Sequence, residues 1–300
     1  MKQLQRNKPF LVILLLTVAA IWGSGFVVMK DTLQRLDVNS FLTWRFLVAT
    51  LVMIALKPSA LKKIDRPFAL KGGIAGAILG VGYILQSFGL TLTTVAKTGF
   101  ITGLYAVFTP LIAAFILKKH VTRFQWFCVA LALAGLALLS FNGVGLGHHE
   151  LLGESLVLVS ALVFAAHIIA LSEWSSSLDT YALTILQMAM VTVVCFIASL
   201  KSGFHMPPDA GVWRALIYTG IFASAFAFIV QTWTQSFMPA TTIGIILTME
   251  YIFAAFFGII VLHEKVTSRL ILGGSLVIAA MLAIVKAEPK SEMLGELHYD

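Results

Sequence analysis

The sequence predicts an all-α membrane protein of ten transmembrane helices, arranged as two inverted five-helix repeats. Three observations predict it: an apolar surplus, ten continuous apolar runs, and a self-match between the two halves. Of the 300 residues, 59% are hydrophobic and 12% charged, against about 45–50% apolar and about 25% charged in soluble domains. Mean hydropathy is +0.94. A surplus this large outruns any single core and calls for the bilayer, at about 20 residues per crossing. With only short links between runs, a cytosolic enzyme, a secreted disulfide scaffold and a DNA-binding module are excluded.

The runs lie near 10–29, 40–56, 69–91, 98–117, 124–141, 155–173, 181–200, 213–236, 241–262 and 269–286. Turn and charge signals separate them, among them Lys57-Pro58-Ser59, Lys118-Lys119-His120, the stretch 142–149 and Met206-Pro207-Pro208-Asp209. Closed β-barrels also cross lipid, but their strands alternate apolar and polar residues, and these runs are continuous. Lys2, Arg6 and Lys8 before the first run would suit a cleaved leader, yet nine further runs favour an uncleaved first helix. Cys128 and Cys195 sit inside apolar runs without CxxC spacing and read as packing residues.

Lys and Arg set the orientation. With a cytoplasmic N-terminus, the inner segments of the first five spans hold eleven basic residues (Lys2, Arg6, Lys8, Lys57, Lys62, Lys63, Arg66, Lys71, Lys118, Lys119 and Arg123) and the outer ones only Lys30, Arg35 and Lys97. In the second half the inner segments hold Lys286 and Lys290, against Lys201, Arg214, Lys265 and Arg269 outside. Five is odd, so the second half starts on the opposite face, and a weakened bias there suits an inverted repeat. A shift of 145 residues superposes Gln86 on Gln231, Gly99 on Gly244, Ile101 on Ile246, Leu117 on Leu262 and Val121-Thr122 on Val266-Thr267. The two units are therefore drawn at 10–141 and 155–286, with a cytoplasmic tail at 287–300. Inverted repeats place a substrate site near the midplane, between the halves.

Ionisable groups at membrane depth are the first functional candidates. A carboxylate at a helix centre costs about 2.5–3.5 kcal/mol on insertion scales, so Glu250 must face protein or water. It suits a proton carrier or the partner of an amine, with a structural carboxyl as the other reading. His167 reads either as a titratable or stacking group or as a histidine satisfied by its neighbours; the 145 shift places it on Trp22. Arg45 either snorkels to the headgroups or anchors a carboxylate. Tyr83, Gln86, Thr102, Tyr105, Thr109 and Gln231 offer donors and acceptors, singly helix-to-helix glue and together a mixed polar and aromatic lining. Gly72, Gly76 and Gly80, and then Gly99 and Gly103, form GxxxG motifs for close helix packing. Gly23-Ser24-Gly25 and Pro110 are candidate breaks or kinks. HExxH, GxSxG and Walker A motifs are absent, so neither a metalloprotease nor an ATP-driven pump is signalled and no cofactor is expected. His148-His149-Glu150 reads as an outer-loop cluster, either a weak metal site or a solvated loop.

Trp22-Gly23-Ser24-Gly25-Phe26 followed by Lys30 resembles the opening motif of the drug/metabolite transporter superfamily, EamA type. Arg45-Phe46 is similar to that family's second-span arginine. The stretch from Thr98-Gly99-Phe100 through Thr109-Pro110-Leu111 resembles its fourth span, and Met249-Glu250 with Leu262-His263-Glu264-Lys265-Val266-Thr267 its "E-P…LGE" region. Tyr251 and His263 stand where that pattern has proline and glycine. The resemblance implies a ten-helix inverted-repeat secondary carrier of the bacterial inner membrane, often exporting amino acids or other small metabolites, while the Lys and Arg distribution over ten spans puts both termini in the cytoplasm.

The reading is a carrier that moves an amino-acid-like compound outward by alternating access, binding it at Trp22, Ser24, Arg45, Tyr83, Gln86, Thr102, Tyr105, His167, Gln231 and Glu250. Its partners are a small molecule and the lipid bilayer, not nucleic acid; proton coupling is open, as is the choice between monomer and homodimer. The alternatives are an uptake carrier for a vitamin, nucleoside or carboxylate, an intramembrane enzyme pairing His167 with Glu250, and a scaffold that transports nothing.

Overall fold

The computed structural model describes residues 8–116, 122–140, 148–236, 238, 243 and 246–286, and among them the regular structure is entirely helical. The proposed tail at 287–300, the basic residues Lys2, Arg6, Lys118 and Lys119, and Gly244 lie outside the described residues. Twelve α-helices are described: α1 Lys8–Thr32, α2 Val38–Leu56, α3 Arg66–Leu92, α4 Val95–Thr102, α5 Tyr105–Ile116, α6 Arg123–Ser140, α7 His148–Ser175, α8 Thr180–Ser199, α9 Ala210–Gly220, α10 Ala227–Gln235, α11 Met249–Leu262 and α12 Ser268–Lys286. Seven segments are long and apolar enough to cross a membrane, with α4–α5 and α9–α10 each counting as one. Three apolar helices are shorter: Arg123–Leu139, Met249–Leu262 and Ser268–Ala283.

The helix starts are written into the short links. Asp37, Asp65, Asp179 and Asp209 each precede a helix and accept from its first free N–H groups, at 3.1 Å from Ser40, 2.8 Å from Phe68, 3.0 Å from Ala182 and 2.7 Å from Gly211. A negative oxygen there satisfies an orphan donor and complements the helix dipole. Thr94 caps α4 with a neutral hydroxyl, accepting the Lys97 N–H at 3.2 Å.

Packing brings the two halves together. α3 lies against α7 and α8, α1 against α11, α2 against α8, α6 against α12, and α4 against both α7 and α11. The GxxxG reading holds for the third run. A Cβ on Gly76 would lie 2.7 Å from the Gln187 carbonyl oxygen and from Met190 Cβ, so glycine lets α3 approach α8. Cys128 and Cys195 are buried free thiols.

The helix interruptions fall elsewhere than expected. α1 runs unbroken through Gly23-Ser24-Gly25, and Pro110 lies inside α5. The fourth run breaks at Gly103–Leu104, where the chain tightens to i→i−3 bonds: Leu104 N–H to the Ile101 oxygen at 3.1 Å and Ala106 N–H to the Gly103 oxygen at 2.9 Å. The proline ring crowds the turn before it, and the tightened turn lies just upstream. A second interruption, invisible in the sequence, is a π-helical segment at Ile221–Phe226 between α9 and α10. His263 ends α11 in the left-handed region at φ 53°, the conformation glycine adopts freely. His148-His149-Glu150 is not a loop but the first turn of α7, and Glu150 Oε1 lies 2.6 Å from Lys97 Nζ. Glu154 receives the same ammonium at 2.8 Å, tying α4 to α7.

Candidate functional site

α1, α2, α3, α4, α5, α7, α10 and α11 and the π segment line a cavity that is partly open to solvent. Nine of the ten predicted residues line it: Trp22, Arg45, Tyr83, Gln86, Thr102, Tyr105, His167, Gln231 and Glu250. Ser24 is not among the lining residues. Its hydroxyl lies 2.6 Å from the Tyr218 hydroxyl and donates to the Ile21 carbonyl at 2.9 Å, joining α1 to α9.

The aromatic wall is built around a residue that the sequence reading did not single out. Phe228 on α10 lies with its ring centroid 5.4 Å from Trp22, 6.1 Å from Tyr83 and 6.4 Å from His167. Phe164 stands edge-on to Tyr83 at 5.4 Å. The signal for Phe228 was in the repeat: the 145 shift that places Trp22 on His167 also places Tyr83 on Phe228, Gln86 on Gln231 and Tyr105 on Glu250. All four pairs face this one cavity.

The polar groups fall into two kinds. Some are already engaged. Gln86 Nε2 donates to Thr102 Oγ1 at 3.0 Å, and His167 Nε2 shares a hydrogen bond with Gln187 Oε1 at 2.8 Å. Among the described residues no hydrogen bond joins His167 to Glu250. Thr109, weighed as a further donor, turns back to the Tyr105 carbonyl at 2.7 Å. Trp22 Nε1 spends its single N–H on the Ala223 oxygen at 2.8 Å, so the π segment fixes its ring. Others have capacity to spare. Gln231 Oε1 and the Tyr105 hydroxyl are buried without a hydrogen-bond partner among the described residues.

Two opposite charges share this space. Arg45 is 2% exposed and Glu250 6% exposed. Arg45 does not snorkel; its guanidinium lies over the rings of Tyr83 and Phe46, at 4.9 and 5.0 Å from their centroids. Among the described residues no ion pair joins Arg45 to Glu250, although both line the cavity. The arrangement is a small aromatic chamber with a cation and a carboxylate in its wall. Chemically it can desolvate a compact molecule, stack its apolar part and match separated charges. Among the described residues, no group of three His, Cys, Asp or Glu side chains could hold a metal ion.

The model of the EamA-like transporter family matches residues 9–141 and 151–286. An uncharacterized transporter of Archaeoglobus fulgidus is 30% identical over 268 residues, covering 89% of this chain and 83% of that protein. The threonine/homoserine exporter RhtA of Escherichia coli is 26% identical over 298 residues, covering 96% and 95%. The pseudopaline exporter CntI of Pseudomonas aeruginosa is 22% identical over 265 residues, covering 87% and 90%. One crystal structure superposes with a TM-score of 0.70 at 14% identity, covering 92% of this chain and 96% of that one, a likeness of fold alone.

Proposed function

Because the chain belongs to the EamA-like transporter family, and so is an integral membrane transporter, we propose that it carries a small amino-acid-like metabolite out of the cell by alternating access. The observation that carries this reading is the pair of buried, unlike charges, Arg45 and Glu250, lining one aromatic cavity without pairing to each other. A zwitterion supplies what both lack: an ammonium for Glu250 and a carboxylate for Arg45. Trp22, Tyr83, His167 and Phe228 receive the side chain, and the Gln86 and Gln231 amides are within the same wall. Similarity to two exporters supports the outward direction.

The carrier crosses the bacterial inner membrane ten times as two inverted repeats, 10–141 and 155–286, with both termini cytoplasmic. Support comes from the packing. Exchanging the halves turns the α3–α7 contact into that of the α9–α10 span with α1, the α1–α11 contact into that of α7 with α4–α5, and leaves the α2–α8 and α6–α12 contacts unchanged. The basic residues of the first half supply the orientation.

Counterflow into proteoliposomes with labelled amino acids, nucleosides, vitamins and carboxylates tests the proposal. Accumulation of amino acids, lost in Glu250→Gln, is the expected result, with Glu250 acting on the ammonium or on a coupled proton. Transport by Glu250→Gln that matches the parent from pH 5 to 8 would remove that role. Counterflow of nucleosides or vitamins instead of amino acids would remove the substrate class.

A further inference from the structure

We propose that Ser224 and the Ala223 carbonyl, presented by the π segment, form a seat that aims the Arg45 guanidinium into the cavity as a carboxylate-binding subsite. This rests on the reading of the cavity as the substrate site, and it assigns a positioning role to Ser224, which does not line the cavity.

The guanidinium carries five N–H donors and no acceptor. Nε donates to Ser224 Oγ at 2.8 Å, one terminal nitrogen to Met29 Sδ at 3.2 Å, and the other to the Ala223 oxygen at 3.3 Å. Three of the five donors meet these acceptors. The terminal nitrogens keep donor capacity for a ligand, and a guanidinium can grip a carboxylate in a two-pronged fashion. The strongest contact is the one from Ser224; the thioether is a weak acceptor and the carbonyl contact is long. A guanidinium 2% exposed, with no anionic partner within ion-pair distance among the described residues, lacks the counter-charge that burial demands. The ligand provides it.

The seat exists because α2 and the π segment come unusually close. A Cβ on Gly220, the residue before the π turn, would lie 2.8 Å from Val48 Cγ1 and 2.9 Å from the Arg45 carbonyl oxygen. Widening the helix at Ile221–Phe226 then turns Ala223 and Ser224 towards Arg45. The same Ala223 oxygen accepts from Trp22 Nε1. The arginine and the ring of the first half are thus both held by one turn of the second half.

Benzoate and benzamide, nearly identical in shape and different in charge, test the seat on the purified full-length chain in detergent, read by saturable quenching of tryptophan fluorescence. The parent protein is expected to prefer benzoate. Ser224→Ala is expected to lower the benzoate-to-benzamide preference about tenfold while benzamide affinity stays within about twofold, because one charge-assisted hydrogen bond orients the cation. Ser224→Thr keeps the hydroxyl oxygen and is expected to restore the preference. If Ser224→Ala does not fold, Ser224→Cys, of similar volume and weaker acceptor strength, makes the same comparison. Equal weakening of both ligands would assign Ser224 to packing and overturn the proposal. So would an unchanged preference, or a parent protein that binds the two alike or binds neither. Binding is read without vesicles, so a benzoate preference alongside silent counterflow would refute transport and leave the subsite standing.

Discussion

Alanine at Gly23 and alanine at Gly25 should have opposite effects, although the two positions are two residues apart on one unbroken helix. A Cβ at Gly23 would lie 2.6 Å from Phe253 Cβ, 2.8 Å from the Ala254 nitrogen and 2.9 Å from the Glu250 oxygen. None of these atoms is the far end of a flexible side chain. Relief requires α1 and α11 to separate by about 0.8 Å, the gap between 2.6 Å and the 3.4 Å of ordinary contact. Overpacking of this kind costs about 1–3 kcal/mol. At Gly25 the nearest atom is Ala223 Cβ at 3.9 Å, an ordinary contact. Both substitutions gain the same helix propensity, about 0.8–1.0 kcal/mol, which cancels in the comparison. Gly23→Ala should therefore be less stable than Gly25→Ala by about 1–3 kcal/mol. The assay is thermal unfolding in detergent at one fixed scan rate, followed by circular dichroism. Superimposable transitions for the two variants would refute the close approach of α1 to the backbone carrying Glu250.

Three further outcomes are expected. Glu264 accepts the Val95 and Ala96 N–H groups at 2.6 and 3.0 Å; Glu264→Ala should cost about 1–3 kcal/mol by leaving these donors bare, and Glu264→Gln less, by the same unfolding assay. His263→Gly should stabilise by about 1 kcal/mol, since the left-handed position costs a side chain roughly that much. Partial burial pushes the Asp179 carboxyl up, but the Lys63 ammonium at 2.5 Å and the Ala182 N–H outweigh it and hold it below the ordinary aspartate value. A depressed carboxyl stabilises above its unfolded value, about 3.9, and the contribution fades as pH falls through the lower folded value. Stability of the parent relative to Asp179→Asn should thus be constant from pH 5 to 8 and shrink below about pH 4.

Much of the cavity could be read before any helix was packed. Glu250, His167 and Arg45 stood out because a polar group at membrane depth is costly and needs a reason, and the 145-residue shift paired Trp22 with His167 and Gln86 with Gln231. The same shift pairs Tyr83 with Phe228, but one phenylalanine among 22 carries no chemical signal of its own. Ser24 stood in Gly23-Ser24-Gly25, a candidate break in the first span. Its hydroxyl is instead taken by Tyr218, a partner 194 residues away.

The sequence by itself determined that this chain lives in a bilayer and that it is helical, and it carries the caps of several helices. Transfer free energy is a sum over residues, and caps such as Asp65 and Asp179 act within one turn of themselves. Only the tertiary structure decided where the helices are interrupted and which charges stay unpaired. The break falls at Gly103 and the π turn at Ile221–Phe226, while Gly23 and Pro110 remain inside continuous helices. Arg45 finds Ser224 and Ala223 from another span rather than the headgroups. A buried group's partner is set by which helix faces meet, and that is a property of the packing across the whole chain rather than of any local stretch of it.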